Sequence, residues 1–428
     1  MEKIIEPENS EFEKWIERPR TDIRDVERRV SEIFQEISSK GDIALEFYTK
    51  KWDGAELQDY FVSPSEFQEA AEHVSQELKD AIELAHQNIY CFHVAQKVAE
   101  EKIQTQPGVV CWRKTVGIER VGLYIPGGTA PLFSTVLMLA IPAAIAKCKE
   151  IILCSPPDQN GKIHPAILYT AQRCGISSVL KAGGAQAIAA MCLGTQKVKK
   201  VNKLFGPGNQ YVTVAKTMAM QFGVSIDMPA GPSELLVYAD NECIPEFVAA
   251  DLLSQAEHGN DSQVILLAEN EALADAILYE TQQLLVNTDR FHFASNALKN
   301  SKAIVISDRQ KAISFINAYA PEHLILVCKN PYAIADGIIN AGSVFIGNYT
   351  PESAGDYASG TNHTLPTHGF AKSYSGVSLD SFTKKITFQE ITKEGLLQIG
   401  QAIEIMADAE QLMAHKNAVS IRLKQLIA

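Results

Sequence analysis

The sequence predicts an α/β protein built on two doubly wound parallel sheets. Three observations lead there. From Arg120 onward, short apolar strands alternate with helical stretches. Nearly every strand in the first series stops at glycine or proline before a helix begins, the pattern of βαβ units. A second series of such strands starts at Leu235. A chain of 428 residues also exceeds what one ordinary core organises, so two or three domains are expected.

Residues 1–20 read as an N-terminal arm, and the region up to about residue 100 reads as helical. Ile23, Val26, Val30, Ile33 and Ile37 recur at helical spacing behind Thr21-Asp22, and Lys40-Gly41 stops that helix. Ser63-Pro64-Ser65-Glu66 is a capping box with proline at the first helical position, and the helix after it is expected to run to Lys97. In the first strand series, Val121–Ile125 runs into Pro126-Gly127-Gly128 and Glu150–Cys154 into Ser155-Pro156-Pro157. Ser178–Leu180 is followed by Ala182-Gly183-Gly184, and Lys203–Phe205 by Gly206-Pro207-Gly208. The second series comprises Leu235–Tyr238, Val264–Leu267, Ala303–Ile306, Leu324–Val327 and Ser343–Ile346. These expectations divide the chain into a discontinuous first α/β domain (21–119 and 235–382), a second (120–234) and a tail (383–428) that reads as strand then helix.

Composition narrows the partners. Hydrophobic residues at 46% and charged residues at 21% are those of a soluble globular chain. A net charge of −12 argues against nucleic acid. The eight cysteines form no C-x-x-C pair. Cys148, Cys154, Cys192 and Cys328 lie in or beside apolar runs, as thiols do in a reducing cytoplasm. Met1–Glu6 lacks the apolar core of a signal peptide, and the longest apolar run, Val136–Ala146, is too short for a bilayer and contains Pro142. No membrane partner is expected.

The chemistry concentrates in a few stretches. Ser254-Gln255-Ala256-Glu257-His258-Gly259-Asn260-Asp261 falls at a helix end. Gln255 and His258, three apart, share a helix face and can offer an oxygen and a nitrogen to a metal or polar ligand. A capped surface turn is the ordinary alternative. The turns at Gly127-Gly128, Gly183-Gly184 and Gly206-Pro207-Gly208-Asn209 sit at strand carboxyl ends, where backbone amides can approach a phosphate or carboxylate. None fits G-x-G-x-x-G, because Tyr211 stands where the last glycine should be, so cofactor binding and plain tight turns both remain open. Glu322-His323 puts a carboxylate beside an imidazole just before a strand; side by side on extended backbone they face opposite ways and can serve two different protons. An exposed loop end would look the same. Asn348–His368 reads as a long polar loop carrying Asp356, His363 and His368, and loops of that length tend to be functional. Asp227–Glu234 reads as a domain boundary holding Ser233 at a hinge. His415 lies on the C-terminal helix and nothing internal to the sequence promotes it.

Together these stretches resemble the histidinol dehydrogenase family, from about Asp22 to His415. The resemblance rests on Gly122–Gly128, Gly183–Ala187, Phe205–Asn209, Asp227–Glu234, Leu252–Asp261, Ala320–His323, the long loop and Ala414–Ala418. It implies a zinc-dependent homodimer of incomplete Rossmann-like domains with exchanged C-terminal tails. The implied reaction oxidises L-histidinol to L-histidine through the aldehyde with two NAD in sequence. Residue by residue, it implies that Gln255, His258 and Asp356 hold one zinc ion per subunit together with His415 of the other subunit. Glu322 and His323 match the acid/base pair. Ser233, His363 and Glu410 match substrate contacts, as do the residues around the metal. Tyr124, Gln186 and Asn209 match positions that hold NAD. The absent dinucleotide fingerprint agrees with the family's unusual NAD site.

Three other readings compete. A zinc hydrolase would use Glu322 to activate a metal-bound water. A metal-stabilised binding protein for an imidazole ligand would bind without turnover. A cysteine thiohemiacetal route would need a thiol in a polar glycine-rich loop, and none of the eight cysteines sits in one.

Overall fold

The computed structural model describes residues 1–19, 23–127, 130–229 and 231–427. The chain opens with strand β1 (Glu2–Ile5) and the short helix α1 (Phe12–Trp15). Four helices follow: α2 (Arg24–Lys40), α3 (Asp42–Tyr48), α4 (Pro64–Glu72) and α5 (Gln76–Val94). Strands β2 (Lys102–Gln106) and β3 (Val109–Gly117) lead into an alternating series. It comprises β4 (Arg120–Tyr124), α6 (Phe133–Ile145), β5 (Glu150–Ser155), α7 (Pro165–Arg173), β6 (Val179–Lys181), α8 (Gly184–Leu193), β7 (Lys203–Phe205), α9 (Gln210–Ala219) and β8 (Ser225–Ile226). The second series runs β9 (Glu234–Ala239), α10 (Pro245–Ala256), β10 (Gln263–Ala268), α11 (Glu271–Leu285), α12 (Phe291–Lys299), β11 (Lys302–Val305), α13 (Arg309–Tyr319), β12 (His323–Val327), α14 (Pro331–Ala335), β13 (Ser343–Ile346) and α15 (Glu352–Tyr357). Strand β14 (Thr383–Ile391) and helices α16 (Lys393–Ala409) and α17 (Met413–Ile427) close the chain.

The strands form two parallel sheets. The five-stranded sheet has the order β6-β5-β4-β7-β8 and the six-stranded sheet β1-β11-β10-β9-β12-β13. Their inner strands are buried on both faces, so β4, β5, β9, β10 and β12 are nearly continuous apolar runs. In β9, Leu235, Val237 and Ala239 pack into one core while Leu236 and Tyr238 pack into the core on the opposite face, the period of two that a strand imposes. All eight cysteines are unbridged thiols; Cys154 and Cys192 are buried, and Cys148 and Cys328 half-buried. No helix among the described residues is long and apolar enough to cross a membrane.

Several expectations are corrected. Residues 1–20 are more than an arm, because β1 pairs in parallel with β11 and completes the six-stranded sheet. Residues 23–119 touch residues 358–382 but pack largely on the five-stranded sheet. Val26, Val30, Ile33, Phe34 and Ile37 of α2 share a core with α8 and α9, while Ile82 and Ile89 of α5 pack on Leu137 and Ile141 of α6. The early helices therefore cover the five-stranded sheet. The long helix expected to reach Lys97 is two helices, because the Ser75 hydroxyl accepts the Leu78 N–H and caps a fresh start. Strands β2, β3 and β14 form an antiparallel sheet of order β14-β3-β2, which the exposed and half-polar sequence did not signal. The tail holds two helices after its strand, and the polar loop after β13 contains α15. The expected helix start at Thr21-Asp22, the second glycine of the Gly127-Gly128 turn, and Ala230 within Asp227–Glu234 lie outside the described residues.

Candidate active site

At the carboxyl edge of the five-stranded sheet the three turns line one cavity through Gly127, Gly184 and Gly208. Tyr124 ends β4 and is buried; its hydroxyl oxygen accepts the Gly184 N–H at 3.1 Å. Gln186, in the first turn of α8, is 1% exposed, and its Oε1 has no partner among the described residues. Its Nε2 donates to Asp53 Oδ2 at 3.3 Å, which also accepts the Gly183 N–H at 3.2 Å. Asn209 caps α9, with Oδ1 accepting from the amides of Tyr211 and Val212. Gly206 tolerates no side chain. Its φ is +120° and an added Cβ would stand 2.1 Å from the Tyr124 carbonyl oxygen. That contact brings the Asn209 turn against Tyr124. Burial raises the Asp53 carboxyl to about 6, against the hydrogen bonds from Gly183 and Gln186.

Glu322 and His323 sit at the opposite kind of edge. Helix α13 ends on Ala320 in the left-handed region (φ 53°), which turns the chain through Pro321 into β12. His323 is the first residue of β12 and pairs in register with Leu235 of β9. Both residues therefore lie at the amino edge of the six-stranded sheet, where parallel strands leave N–H groups free. The Glu234 N–H takes up that role and donates to Glu322 Oε2 at 2.9 Å. The Glu234 carbonyl lies 3.1 Å from His323 Nδ1. A carbonyl only accepts, so Nδ1 carries a proton, and in the neutral ring Nε2 carries the lone pair. That Nε2 is buried without a hydrogen-bond partner, 3.8 Å from Asp356 Oδ1 and 3.9 Å from Glu352 Oε1. Burial opposes a charge on His323, but Glu322, Asp356 and Glu352 outweigh it and raise its pKa well above the usual histidine value; a cation held by Asp356 and Glu352 would offset their charge and leave the ring neutral.

The metal-type residues gather beside this nitrogen. Helix α10 ends at Ala256, so His258 lies in the turn beyond it, where its N–H donates to the Gln255 carbonyl at 3.3 Å. His258 and Asp356 do come together, with Glu352 as a third member; their ligand atoms all lie within 4.8 Å of one another. Glu352 and Asp356 are one helical turn apart on α15. Glu352 was missed by the sequence reading, although its i,i+4 spacing from Asp356 was a usable signal. Its Oε2 accepts from Ser254 at 2.9 Å and its Oε1 has no partner. Burial first, and Asp356 second, raise the Glu352 carboxyl, whereas the surrounding histidines more than offset burial at Asp356 and lower it. Gln255 is 1% exposed and neither side-chain atom has a hydrogen-bond partner among the described residues. A buried amide left so is costly, and a cation taking its oxygen relieves the cost. One nitrogen and several oxygens are donors that zinc accepts, so the residues present fit the ion.

The remaining expected residues divide. Ser233 Oγ lies 3.4 Å from His258 Nδ1. His363 is half-buried, with Nδ1 donating to the Asp356 carbonyl at 2.9 Å and Nε2 3.0 Å from the Thr135 hydroxyl. Burial lowers its pKa. Glu410 and His415 lie on the exposed tail, and the His258–Glu352–Asp356 group within one chain does not include His415. His368, named as a candidate in the long loop, donates its N–H to Glu234 Oε1 at 2.8 Å, behind the pair. The sequence reading also missed Asp53 and Glu234, whose roles depend on contacts remote in sequence. One cavity of about 1190 Å³ joins the two edges, lined by Asp53, Tyr124, Gln186 and Asn209 on one side and by Ser233, His258 and Tyr357 on the other.

Comparison with known proteins gives the family. The sequence model described as histidinol dehydrogenase matches residues 16–423. The chain is 54% identical over 426 residues to histidinol dehydrogenase of Bacteroides fragilis, covering 100% of both chains. It is 49% identical to the chloroplastic histidinol dehydrogenase of Arabidopsis thaliana, covering 100% of this chain and 92% of that one. The crystal structure of histidinol dehydrogenase from Elizabethkingia anophelis superposes with a TM-score of 0.98 at 56% identity, covering 100% of this chain and 99% of that one. The two sheets, the converging turns and these matches lead to one conclusion: the chain belongs to the histidinol dehydrogenase family.

Proposed function

We propose that this chain oxidises L-histidinol to L-histidine through L-histidinal, the last step of histidine biosynthesis, with zinc and two successive NAD molecules. The observation that carries the reading is the single cavity linking Tyr124, Gln186 and Asn209 to His258 and Ser233. Tyr124, Gln186 and Asn209 would hold NAD, which would supply a hydride acceptor for each oxidation. Gln255, His258 and Asp356, with His415 from a second copy, would hold zinc, which would supply a fixed cationic anchor for the imidazole and amine of the substrate.

The chain's own groups move the protons. His323 Nε2, with its lone pair free, takes the hydroxyl proton as the carbinol C–H leaves as hydride. Glu322, held at Oε2 by the Glu234 N–H, uses Oε1 to take a proton from water as the hydroxide adds to the aldehyde carbon. His323 then takes a hydroxyl proton from the hydrate as the second hydride leaves. The sum consumes one water and two NAD, and yields carboxylate, two NADH and three protons. Ser233, His363 and Glu410 contact the substrate. Ionised carboxylate suits water activation and neutral imidazole suits alcohol deprotonation. One site for both steps keeps the aldehyde from escaping.

The exposed tail supports a homodimer. Ile405, Met406 and Ile421 are 61–67% exposed on α16 and α17, and Phe388 and Ile391 add apolar surface on β14. Exposed apolar side chains on these three elements favour burial against another copy. Histidinol mixed with NAD should give two NADH per substrate, and chelation should stop it. Histidinol binding without NADH formation would overturn the reading in favour of a binding protein, and metal-dependent ester or amide cleavage without NADH in favour of a hydrolase.

A further inference from the structure

One residue, Glu234, holds both members of the acid/base pair through its own peptide groups. Its N–H donates to Glu322 Oε2 at 2.9 Å and its carbonyl accepts from His323 Nδ1 at 3.1 Å. Wherever the Glu234 backbone sits, Glu322 and His323 follow. The Glu234 side chain is 3% exposed. Arg18 Nε donates to Oε1 at 2.5 Å and Arg18 Nη2 to Oε2 at 2.9 Å, a fork-on-fork pairing. His368 N–H donates to Oε1 at 2.8 Å. Arg18 is itself locked: Nη2 also donates to the Tyr319 carbonyl at 2.7 Å, and the guanidinium lies over the Tyr319 ring at 4.2 Å from its centroid. Tyr319 in turn donates its hydroxyl to Gln263 Oε1 at 3.0 Å, and Gln263 Nε2 donates to the Glu17 carbonyl at 3.1 Å. The network is closed, and it ties the segment after α1 to the amino ends of β9, β10 and β12.

An apolar pair of the same volume would cost less to bury than this carboxylate and guanidinium. What an apolar pair lacks is direction. Two forked hydrogen bonds fix the rotation of the Glu234 side chain, and through it the plane of the peptide groups that hold the catalytic pair. We propose that Arg18 and Glu234 are positioning residues for Glu322 and His323, so that the N-terminal segment forms the back wall of the catalytic apparatus. The proposal rests on the reading of Glu322 and His323 as the acid/base pair.

The test uses the zinc-loaded full chain with Arg18→Met, Arg18→Ala and Glu234→Gln, and His323→Asn as reference. With folding verified by far-UV circular dichroism, kcat should fall about tenfold to a hundredfold while KM for histidinol stays within about threefold, since misplacement of reacting groups costs rate rather than binding. The deuterium isotope effect on kcat, with histidinol labelled at the carbinol carbon, should rise as chemistry becomes limiting. Methylguanidinium should restore part of the rate to Arg18→Ala and none to His323→Asn. If Arg18→Ala does not fold, the isotope effect and KM of Glu234→Gln decide. An unchanged kcat in Arg18→Met or Glu234→Gln beside an inactive His323→Asn overturns the positioning role alone. So does a loss confined to KM, or a loss with no rise in the isotope effect. A wild-type rate in His323→Asn overturns the acid/base reading itself.

Discussion

Ser233 Oγ stands 3.4 Å from His258 Nδ1, across the gap between the entry to β9 and the exit of α10. The next residue along, Glu234, carries Glu322 and His323 on its peptide groups. Two consecutive residues therefore touch the His258 group and the Glu322-His323 pair, and the two clusters are held in register by one short piece of backbone. Each can still be perturbed separately.

Glu322→Gln should harm aldehyde oxidation more than alcohol oxidation. The amide keeps the shape and can still accept the Glu234 N–H, but it cannot take a proton from water. In single turnover, the first NADH should form at a rate close to that of the wild type, while supplied histidinal should be oxidised about a hundredfold more slowly or worse. Equal damage to both steps would assign Glu322 to substrate placement.

Removing the metal should abolish turnover and leave the fold in place. Gln255, His258 and Asp356 come from helix ends and a short helix, whereas the cores lie on the two sheets. Chelated protein should keep its far-UV signal, and its melting temperature should fall by several degrees because the ion binds only the folded state. Full NADH production by protein shown metal-free by elemental analysis would exclude the metal from the reaction.

His415→Ala and His258→Ala should complement each other. Each homodimer should be nearly inactive. Refolding an equal mixture should give heterodimers as about half of all dimers, in which one site collects both defects and the other none, so roughly a quarter of sites are intact. Activity near that fraction supports a composite site. A mixture as inactive as its parents, with heterodimers verified by mass, shows that His415 serves its own subunit.

Asp53→Asn should change how stability responds to pH. The folded carboxyl is raised to about 6 by burial, above the value of about 3.9 for an unfolded aspartate. The stabilisation that goes with this shift is fully present below the unfolded value and is lost as pH rises through 6. Because Asp53 is partly exposed, the loss between pH 4 and pH 8 is about 1–2 kcal/mol. The amide variant should lack that component, so in urea titrations it should gain on the wild type by that amount between the two pH values. Parallel pH curves would mean that Asp53 ionises freely in the fold.

Much of the fold was legible because parallel strands buried on both faces are apolar runs with sharp ends. Leu235–Tyr238 and Val264–Leu267 fall inside β9 and β10, every residue of which is buried. The antiparallel sheet was hidden for the opposite reason. Every residue of β2 is exposed, so Lys102–Gln106 carries no burial pattern to read. Near the site, Gln255, His258, Asp356 and Glu322-His323 stood out by residue type and spacing, whereas Glu234 and Asp53 did not. Their importance comes from partners such as Arg18 and Gly183, and no local periodicity records a contact across that separation.

Strand β3 spans Val109–Gly117, yet nine of its pairings are with Thr383–Ile391 at the far end of the chain. During synthesis this strand emerges long before its neighbour exists, so for most of translation it presents an unpaired edge, with Trp112 awaiting the ring of Phe388 that stacks on it at 5.3 Å. The first strand waits in the same way for Lys302–Val305. The nascent chain thus carries two open templates until late, and a ribosome that stops before residue 383 releases a product whose exposed edge invites the wrong partner.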